Sequence, residues 1–171
     1  MSATDVPTGR ALHLVDLENV LGDPWATGPA VVDAYEAVLD AGDHRTGDIV
    51  VVAVNPWMFD SLAYAPHTSC ELLVGRGHDG CDLQLLGWES PEWIVQRFDR
   101  LAVASGDGIF AGLVDEVRDA GRAVDVVYGR GGVSRRLQRD DVRLLPVPMP
   151  VPVPPPPLVT DRVGDDHALA A

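Results

Sequence analysis

Short apolar runs alternate with segments of helical spacing along most of this 171-residue chain. Apolar runs of about four to eight residues between helical segments are typical of buried strands in a mostly parallel sheet. The sequence therefore predicts an α/β fold with three layers, a Rossmann-like sheet flanked by helices. The predicted strands are Ala11–Val15, Asp48–Val54, Glu71–Val74, Leu101–Ala104, Ala123–Tyr128 and Val142–Leu145.

Helices are predicted in the spaces between these strands. Gly42 and Gly121 are placed to end two of them, because glycine readily adopts the conformations that follow a helix. Pro91 is expected to interrupt or restart another helix, since proline fits only its first turn. The predicted helices cover residues 29–41, 57–65 and 81–88, the segment between the turn at 105–108 and Gly121, and residues 134–139.

One folded domain and a proline-rich tail account for the chain. A hydrophobic fraction of 46% over 171 residues is enough for one core. We expect a flexible N-terminus at residues 1–10, the domain at 11–145 and a disordered tail at 146–171. The tail begins PVPMPVPVPPPPL, a composition that favours extended polyproline II. Residues 146–158 are either a ligand for a proline-binding protein or a stiff spacer.

The sequence predicts a cytoplasmic protein that does not enter the membrane. No stretch approaches the roughly 18 uninterrupted apolar residues of a membrane helix, and residues 1–10 lack the apolar segment of a signal peptide. Cys70 and Cys81, the two cysteines, are too few for a disulfide framework and fit no zinc-binding pattern.

The formal charge of −13 argues against broad electrostatic adhesion to DNA, because nonspecific binding depends on basic side chains that neutralise phosphates. A local basic stretch nevertheless follows the fifth predicted strand. There Arg130 and Arg135 are candidates for contact with a phosphate backbone, although a solvated loop explains them equally well.

Aspartates follow several of the predicted strands. Asp16 comes after the first strand, Asp79 and Asp82 after the third, and Asp107 after the fourth. In open parallel sheets, ligands bind beyond the carboxyl ends of the strands, so these side chains are expected to converge on one crevice. Clustered carboxylates repel one another unless a cation lies between them. Their placement predicts a site for Mg²⁺ or Mn²⁺, which take oxygen ligands.

A carboxylate-bound metal can activate water and neutralise charge on a phosphate, so the predicted chemistry is hydrolysis of a phosphodiester. Taken singly, each of these aspartates is equally well explained as a turn residue or a helix cap. The functional interpretation depends on their shared placement.

Three motifs resemble those of the NYN family, relatives of PIN-domain and flap nucleases. They are HLVDLENVLG at residues 13–22, DGCD at 79–82 and VASGDGIFAGLVDEVRDAGRAVDVVYG at 103–129. The family pattern is an Asp and an Asn after the first strand, an Asp that opens the middle helix, and a Ser-Gly-Asp turn before a helix ending in Gly. All of these occur here in order, and the resemblance spans about residues 11–145.

The resemblance implies a PIN-like fold and a ribonuclease activity. It implies that Asp16, Asp82 and Asp107 are the catalytic, metal-binding acids, with Asp79 as a weaker addition. It also implies that Asn19 positions a ligand or phosphate and that Ser105 contacts the substrate. RNA is favoured over DNA by the resemblance alone.

One position departs from the family pattern. Many NYN sequences place a further acid directly before the Phe of the third motif, whereas this chain has Ile109 there. Loss of an acid weakens the local negative field and can lower metal affinity. Glu18 and Asp141 are the two nearby candidates for compensation.

Two aromatic or basic side chains are further candidates for substrate contact. Trp25 lies in the polar loop GDPWATG, where an exposed ring can stack on a base of single-stranded nucleic acid. Core packing explains most of the other tryptophans. His78, in the glycine loop, is a weaker candidate.

These observations leave more than one function open. The first hypothesis is a metal-dependent ribonuclease, and the alternative is a catalytically inactive NYN-like module that binds RNA or a protein. A small-molecule phosphohydrolase is a third, although the chain shows no nucleophile motif for it. The sequence does not determine whether the chain forms a homodimer.

Overall fold

The computed structural model describes residues 9–65 and 69–148, and within them a six-stranded sheet forms the middle layer. All neighbouring strands are parallel, which confirms the predicted α/β fold with helices on both faces. Residues 1–8 of the predicted N-terminus and 149–171 of the predicted tail lie outside the described residues. The strands are β1 Ala11–Asp16, β2 Ile49–Val54, β3 Glu71–Val74, β4 Arg100–Ala104, β5 Ala123–Tyr128 and β6 Arg143–Pro146.

The strand order is β3-β2-β1-β4-β5-β6, so the direction in which the chain adds strands reverses between β1 and β4. At such a reversal the connections leave to opposite sides and open a crevice at the carboxyl ends of the strands. The flanking helices are α1 Leu17–Leu21, α2 Pro29–Ala41, α3 Pro56–Ala63, α4 Gly80–Leu86, α5 Pro91–Arg97 and α6 Ala111–Asp119, the last preceded by a 3₁₀ turn at Gly108–Phe110.

The residues of β1 alternate between two hydrophobic cores. Leu12 and Leu14 pack in the core that α4, α5 and α6 cover, whereas Val15 packs in the core on the side of α1, α2 and α3. Because side chains alternate along a strand, Asp16 continues the row of Leu12 and Leu14. The last residue of β1 therefore lies on the α4 side of the sheet.

Three local features differ from the sequence prediction. Leu17–Leu21 forms a short helix that was not predicted, and the Asp16 side chain caps it by accepting the Asn19 N–H. Residues 134–139 form a turn and not the predicted helix. The last strand extends to Pro146, and the N–H of Val147 donates to the Tyr128 carbonyl at 2.8 Å, so the sheet continues past the predicted boundary at 145.

No helix within residues 9–65 and 69–148 is long and apolar enough to span a membrane.

A buried ion network lies on the α2 side of the sheet, near the start of β4. Arg100 donates to Asp125 at 3.0 Å, and both side chains are 1% exposed. Arg143 donates to both oxygens of Asp125, at 2.7 and 2.6 Å. Arg100 also donates to the carbonyls of Gly42 and Asp43, which follow α2. Asp125 therefore compensates two guanidinium groups and joins β4, β5 and β6.

Replacing Asp125 by Asn should destabilise the fold by about 3 kcal/mol, because it leaves the buried Arg100 with only the more distant Asp48 carboxylate, at 3.8 Å, as a compensating charge. Urea denaturation at neutral pH measures this loss. Asp119→Asn is the matched control, since its ion pair with Arg118 is largely exposed and should contribute less than about 1 kcal/mol. Equal effects of the two substitutions would contradict the structural role assigned to the network.

Candidate functional site

A cleft of about 310 Å³ lies at the carboxyl end of the central strands. Its lining comes from the segments that follow β1, β2 and β3, as expected for the crevice of an open parallel sheet. Polar and acidic side chains dominate this lining: Asp16, Glu18, Asn19, Asn55, His78, Asp79 and Asp82.

Asp16 is the last residue of β1 and is only 4% exposed. One of its carboxylate oxygens accepts the Asn19 N–H at 3.2 Å, which caps α1. The cap fixes the carboxyl group where the strand turns into the helix. Asp16 is therefore held at the base of the cleft by its own strand and helix.

Asp82 reaches the same place from α4. The first turn of α4 packs against Gly75, where a Cβ atom would collide with the backbone of Gly80 and Cys81. Only glycine permits this close approach. It sets α4 over the end of β1, with Asp82 7% exposed. The Oδ1 atom of Asp82 is buried without a hydrogen-bond partner.

The Asp16 and Asp82 carboxyl groups are neighbours in the cleft, and each affects the pKa of the other. Burial raises the pKa of Asp16 to about 8, and the neighbouring Asp82 raises it further in the same direction. Burial also raises the pKa of Asp82, together with the charges of Asp107, Asp79 and Glu18. Because burial opposes ionisation of both groups, a proton or a cation shared by the pair would relieve their repulsion.

The turn that follows β4 holds the third predicted acid. Asp107 is exposed and caps the 3₁₀ turn by accepting the Ile109 N–H at 2.9 Å. The N–H of Gly106 donates to the side-chain oxygen of Asn19 at 2.9 Å. This bond joins the turn to α1, so the predicted positioning residue Asn19 connects the first and third motifs.

Ser105 has a different position from the one expected of a substrate contact. Its side chain is completely buried, and its hydroxyl accepts the N–H of Asp107 at 3.2 Å. The structure therefore gives Ser105 a role in the shape of the turn, without open contact with the cleft.

The carboxylates fit a divalent cation in part. Within the described segments, no group of three or more His, Cys, Asp or Glu side chains is arranged to hold a metal ion. Asp16 and Asp82 nevertheless offer a buried carboxylate pair with one unpartnered oxygen. Mg²⁺ is commonly held by one or two carboxylates and completes its shell with water and phosphate oxygens. The pair suits such a cation, whereas Asp107 acts on Asp82 through its charge.

No protein-family model, curated protein or solved structure matches the chain significantly. The resemblance of its three motifs to the NYN family therefore stays a prediction. The functional argument depends on the geometry of the cleft.

Two further acids line the cleft. Glu18 accepts a hydrogen bond from the Asn55 side chain at 3.1 Å and raises the pKa of both Asp16 and Asp82 by its charge. Asp79 has a left-handed backbone with φ of 54° and forms an ion pair with the exposed His78 at 2.6 Å. Glu18 thus lies beside the Asp16–Asp82 pair, and Asp79 lies at the rim.

The structure does not bring Asp141 to the cleft. Its carboxylate lies 3.5 Å from Arg118 on α6, and the pair belongs to an exposed ion cluster with Asp115. The suggestion that Asp141 compensates for Ile109 is therefore wrong, because this side chain is engaged elsewhere on the fold.

The predicted basic contacts lie outside the lining of the cleft. Arg130 and Arg135 are both exposed. The backbone N–H of Arg130 donates to the Val20 carbonyl at 3.0 Å, so Arg130 lies beside α1 and close to Gly22 at the rim. Arg135 lies in the turn that replaces the predicted helix.

Asn55 is a site residue that the sequence analysis missed. It follows β2 and lines the cleft, and its side chain donates to Glu18 and to the Pro24 carbonyl. The rule that pointed to Asp16 also applied to this residue, since Asn55 follows a strand directly. The Asn-Pro pair was interpreted only as the end of that strand.

The pair of buried carboxyls should make the fold less stable as the pH rises. A carboxyl whose pKa is raised by folding stabilises most below its unfolded pKa and loses that contribution as the pH passes the folded pKa. Here the window runs from about pH 4 to the value of about 8 for Asp16. Asp82→Asn should therefore be more stable than the parent at pH 8.5 in EDTA, by about 1 kcal/mol.

Thermal unfolding at pH 5 and pH 8.5 tests this expectation, with Asp33→Asn on the exposed face of α2 as the matched control. Added Mg²⁺ should raise the midpoint of the parent more than that of Asp82→Asn, because a ligand stabilises the state that binds it. A variant less stable than the parent at pH 8.5 would show that the pair is not under electrostatic strain.

Proposed function

We propose that this protein is a metal-dependent ribonuclease that hydrolyses phosphodiester bonds at the acidic cleft. The observation that carries the proposal is the buried Asp16–Asp82 pair, with raised pKa values and an unpartnered oxygen on Asp82. Such a pair destabilises the fold unless a cation or a proton compensates it. Its position at the reversal of strand order, where open sheets bind ligands, supports a catalytic interpretation.

The proposed roles follow from these positions. Asp16 and Asp82 would hold Mg²⁺ or Mn²⁺, and Asp107 would add negative charge from the exposed turn. Such a cation activates water and neutralises charge that develops on the phosphate. Asn19 keeps the Asp107 turn in register with Asp16 through the Gly106 N–H. Glu18 contributes a further carboxylate to the lining of the cleft.

The choice of RNA as substrate is supported by the resemblance of the three motifs to the NYN family. A cytoplasmic location is part of the same proposal. Cys70 and Cys81 are free thiols, and unpaired cysteines are usual in reducing compartments. A proline-binding partner for residues 146–158 also remains a proposal, as those residues lie mostly outside the described segments.

The proposal predicts that the protein cuts labelled single-stranded RNA with Mn²⁺ or Mg²⁺ and not with EDTA. Asp107→Asn should lower the cleavage rate by at least about 100-fold, or roughly 2.7 kcal/mol in activation free energy. Asp107 is exposed, so its variant should unfold at the same temperature as the parent. Asp33→Asn on α2 should cut normally, and an Asp107→Asn variant that cuts as well as the parent would refute the role of this acid.

An inactive binding module is the alternative, and one specific position favours it. Ile109 stands where the family pattern has an acid, and its side chain packs partly against the core next to Phe110. Without that acid, Asp107 is the one carboxylate in the turn at residues 105–110. A module of this kind would bind RNA without turnover.

Ile109→Asp distinguishes the two functions. If the missing acid is what prevents cleavage, this variant should cut RNA with Mn²⁺ while the parent only binds it. The side chain is half-buried, so its folding is verified first by thermal unfolding, with Ile109→Asn as the uncharged control. Unchanged metal affinity and unchanged activity would show that this position does not decide the function.

A further inference from the structure

Two tryptophans form an exposed pair beside the cleft. Trp25 in the loop after α1 is 69% exposed, and Trp57 in the first turn of α3 is 64% exposed. Their ring centroids lie 5.8 Å apart, with the rings inclined at 50°. Tryptophan is usually largely buried, so two adjacent exposed rings are an uncommon feature of a protein surface.

Asn55 holds both tryptophans in place. Its side-chain oxygen accepts the N–H of Trp57 at 2.9 Å, and its side-chain nitrogen donates to the carbonyl of Pro24 at 2.7 Å. Pro24 directly precedes Trp25, whose own N–H donates to Asp23 at 2.9 Å. The two segments that present the rings are therefore joined by one side chain.

The same side chain connects the rings to the acidic cleft. Asn55 and Pro24 both line the cleft, and Asn55 also donates to the carboxylate of Glu18. The segments that carry the two rings therefore border the cleft, although neither ring belongs to its lining.

The chemistry of the rings favours an unpaired nucleobase as the occupant. Bases stack on tryptophan with little regard to sequence, because every base presents a flat apolar face. In a duplex those faces are covered by neighbouring base pairs. Stacking also supplies affinity that a chain with a net charge of −13 cannot obtain from broad attraction to phosphates.

We propose that Trp25 and Trp57 stack a base of single-stranded RNA and so position the adjacent phosphodiester at the acidic cleft. This inference rests on the proposed ribonuclease function and specifies its substrate as single-stranded. Neither ring belongs to the carboxylate set, so their contribution is to binding. Their removal should raise KM and leave kcat nearly unchanged.

The test measures binding of a fluorescein-labelled RNA octamer by anisotropy in EDTA, which keeps the RNA intact. Trp25→Ala and Trp57→Ala should each weaken binding roughly ten-fold, whereas Trp57→Phe should retain most of it. The matched ligand is an abasic octamer with the same number of phosphates, whose affinity the alanine variants should not change. Tyr64→Ala is the control variant, because Tyr64 is 82% exposed at the far end of α3.

Three outcomes would overturn the stacking site. The first is unchanged RNA affinity in both alanine variants, and the second is an equal loss for the normal and the abasic octamer. The third concerns the proline-rich tail as a rival occupant. If a chain ending at Pro148 shows red-shifted tryptophan emission relative to the full chain, the tail covers the rings and the proposal fails.

Cleavage assays separate this inference from the function on which it rests. If RNA is cut with Mn²⁺ and the alanine variants keep the parent KM, the ribonuclease stands and the stacking site fails. If RNA is never cut but its binding depends on both rings and on its bases, the stacking site stands and the ribonuclease fails.

Discussion

The burial of two carboxyl groups next to each other is the constraint on which the cleft at the carboxyl ends of the strands depends. Asp16 and Asp82 come from different layers, the end of the central strand and the first turn of α4. Burial raises the pKa of both, so the arrangement opposes folding whenever both are ionised. Two ionised carboxyl groups at such a position lower the stability of the fold and are available to bind a ligand.

The rest of the structure supplies the stability that this pair removes. Two apolar cores fill both faces of the sheet, and the buried Asp125 compensates the guanidinium groups of Arg100 and Arg143. Within that network opposite charges compensate one another, although Arg100 Nε, like the Oδ1 atom of Asp82, has no hydrogen-bond partner. The network therefore brings opposite charges together where it joins β4, β5 and β6, whereas the cleft brings carboxyl groups together.

The sequence predicted the sheet and the convergence of Asp16, Asp79, Asp82 and Asp107 on one crevice, from local periodicity and strand direction. The first three line the cleft, whereas Asp107 is not part of its lining. The sequence did not predict the position of Asp141, whose pairing with Arg118 is a contact between distant segments. Nor did it predict that Trp57 is exposed, since an aromatic ring in an apolar segment such as PWMFDSLA is typical of a core residue. Met58 and Leu62 form the buried face of α3, and Trp57 in its first turn lies outside that face.

Asn19 fixes the position of the turn that carries Asp107. Its backbone N–H is bound by Asp16 and its side-chain oxygen binds Gly106, so the Asp107 turn is tied to the first motif by one residue. Gly106 itself lies against the backbone of Gly132, where a Cβ atom would collide. Because the turn is fixed on both sides, Asp107 would contribute to the proposed metal site through its charge and not by moving inward. The separation between Asp107 and the Asp16–Asp82 pair is then a property of the scaffold, and in the proposed site Ile109 would supply no further carboxylate.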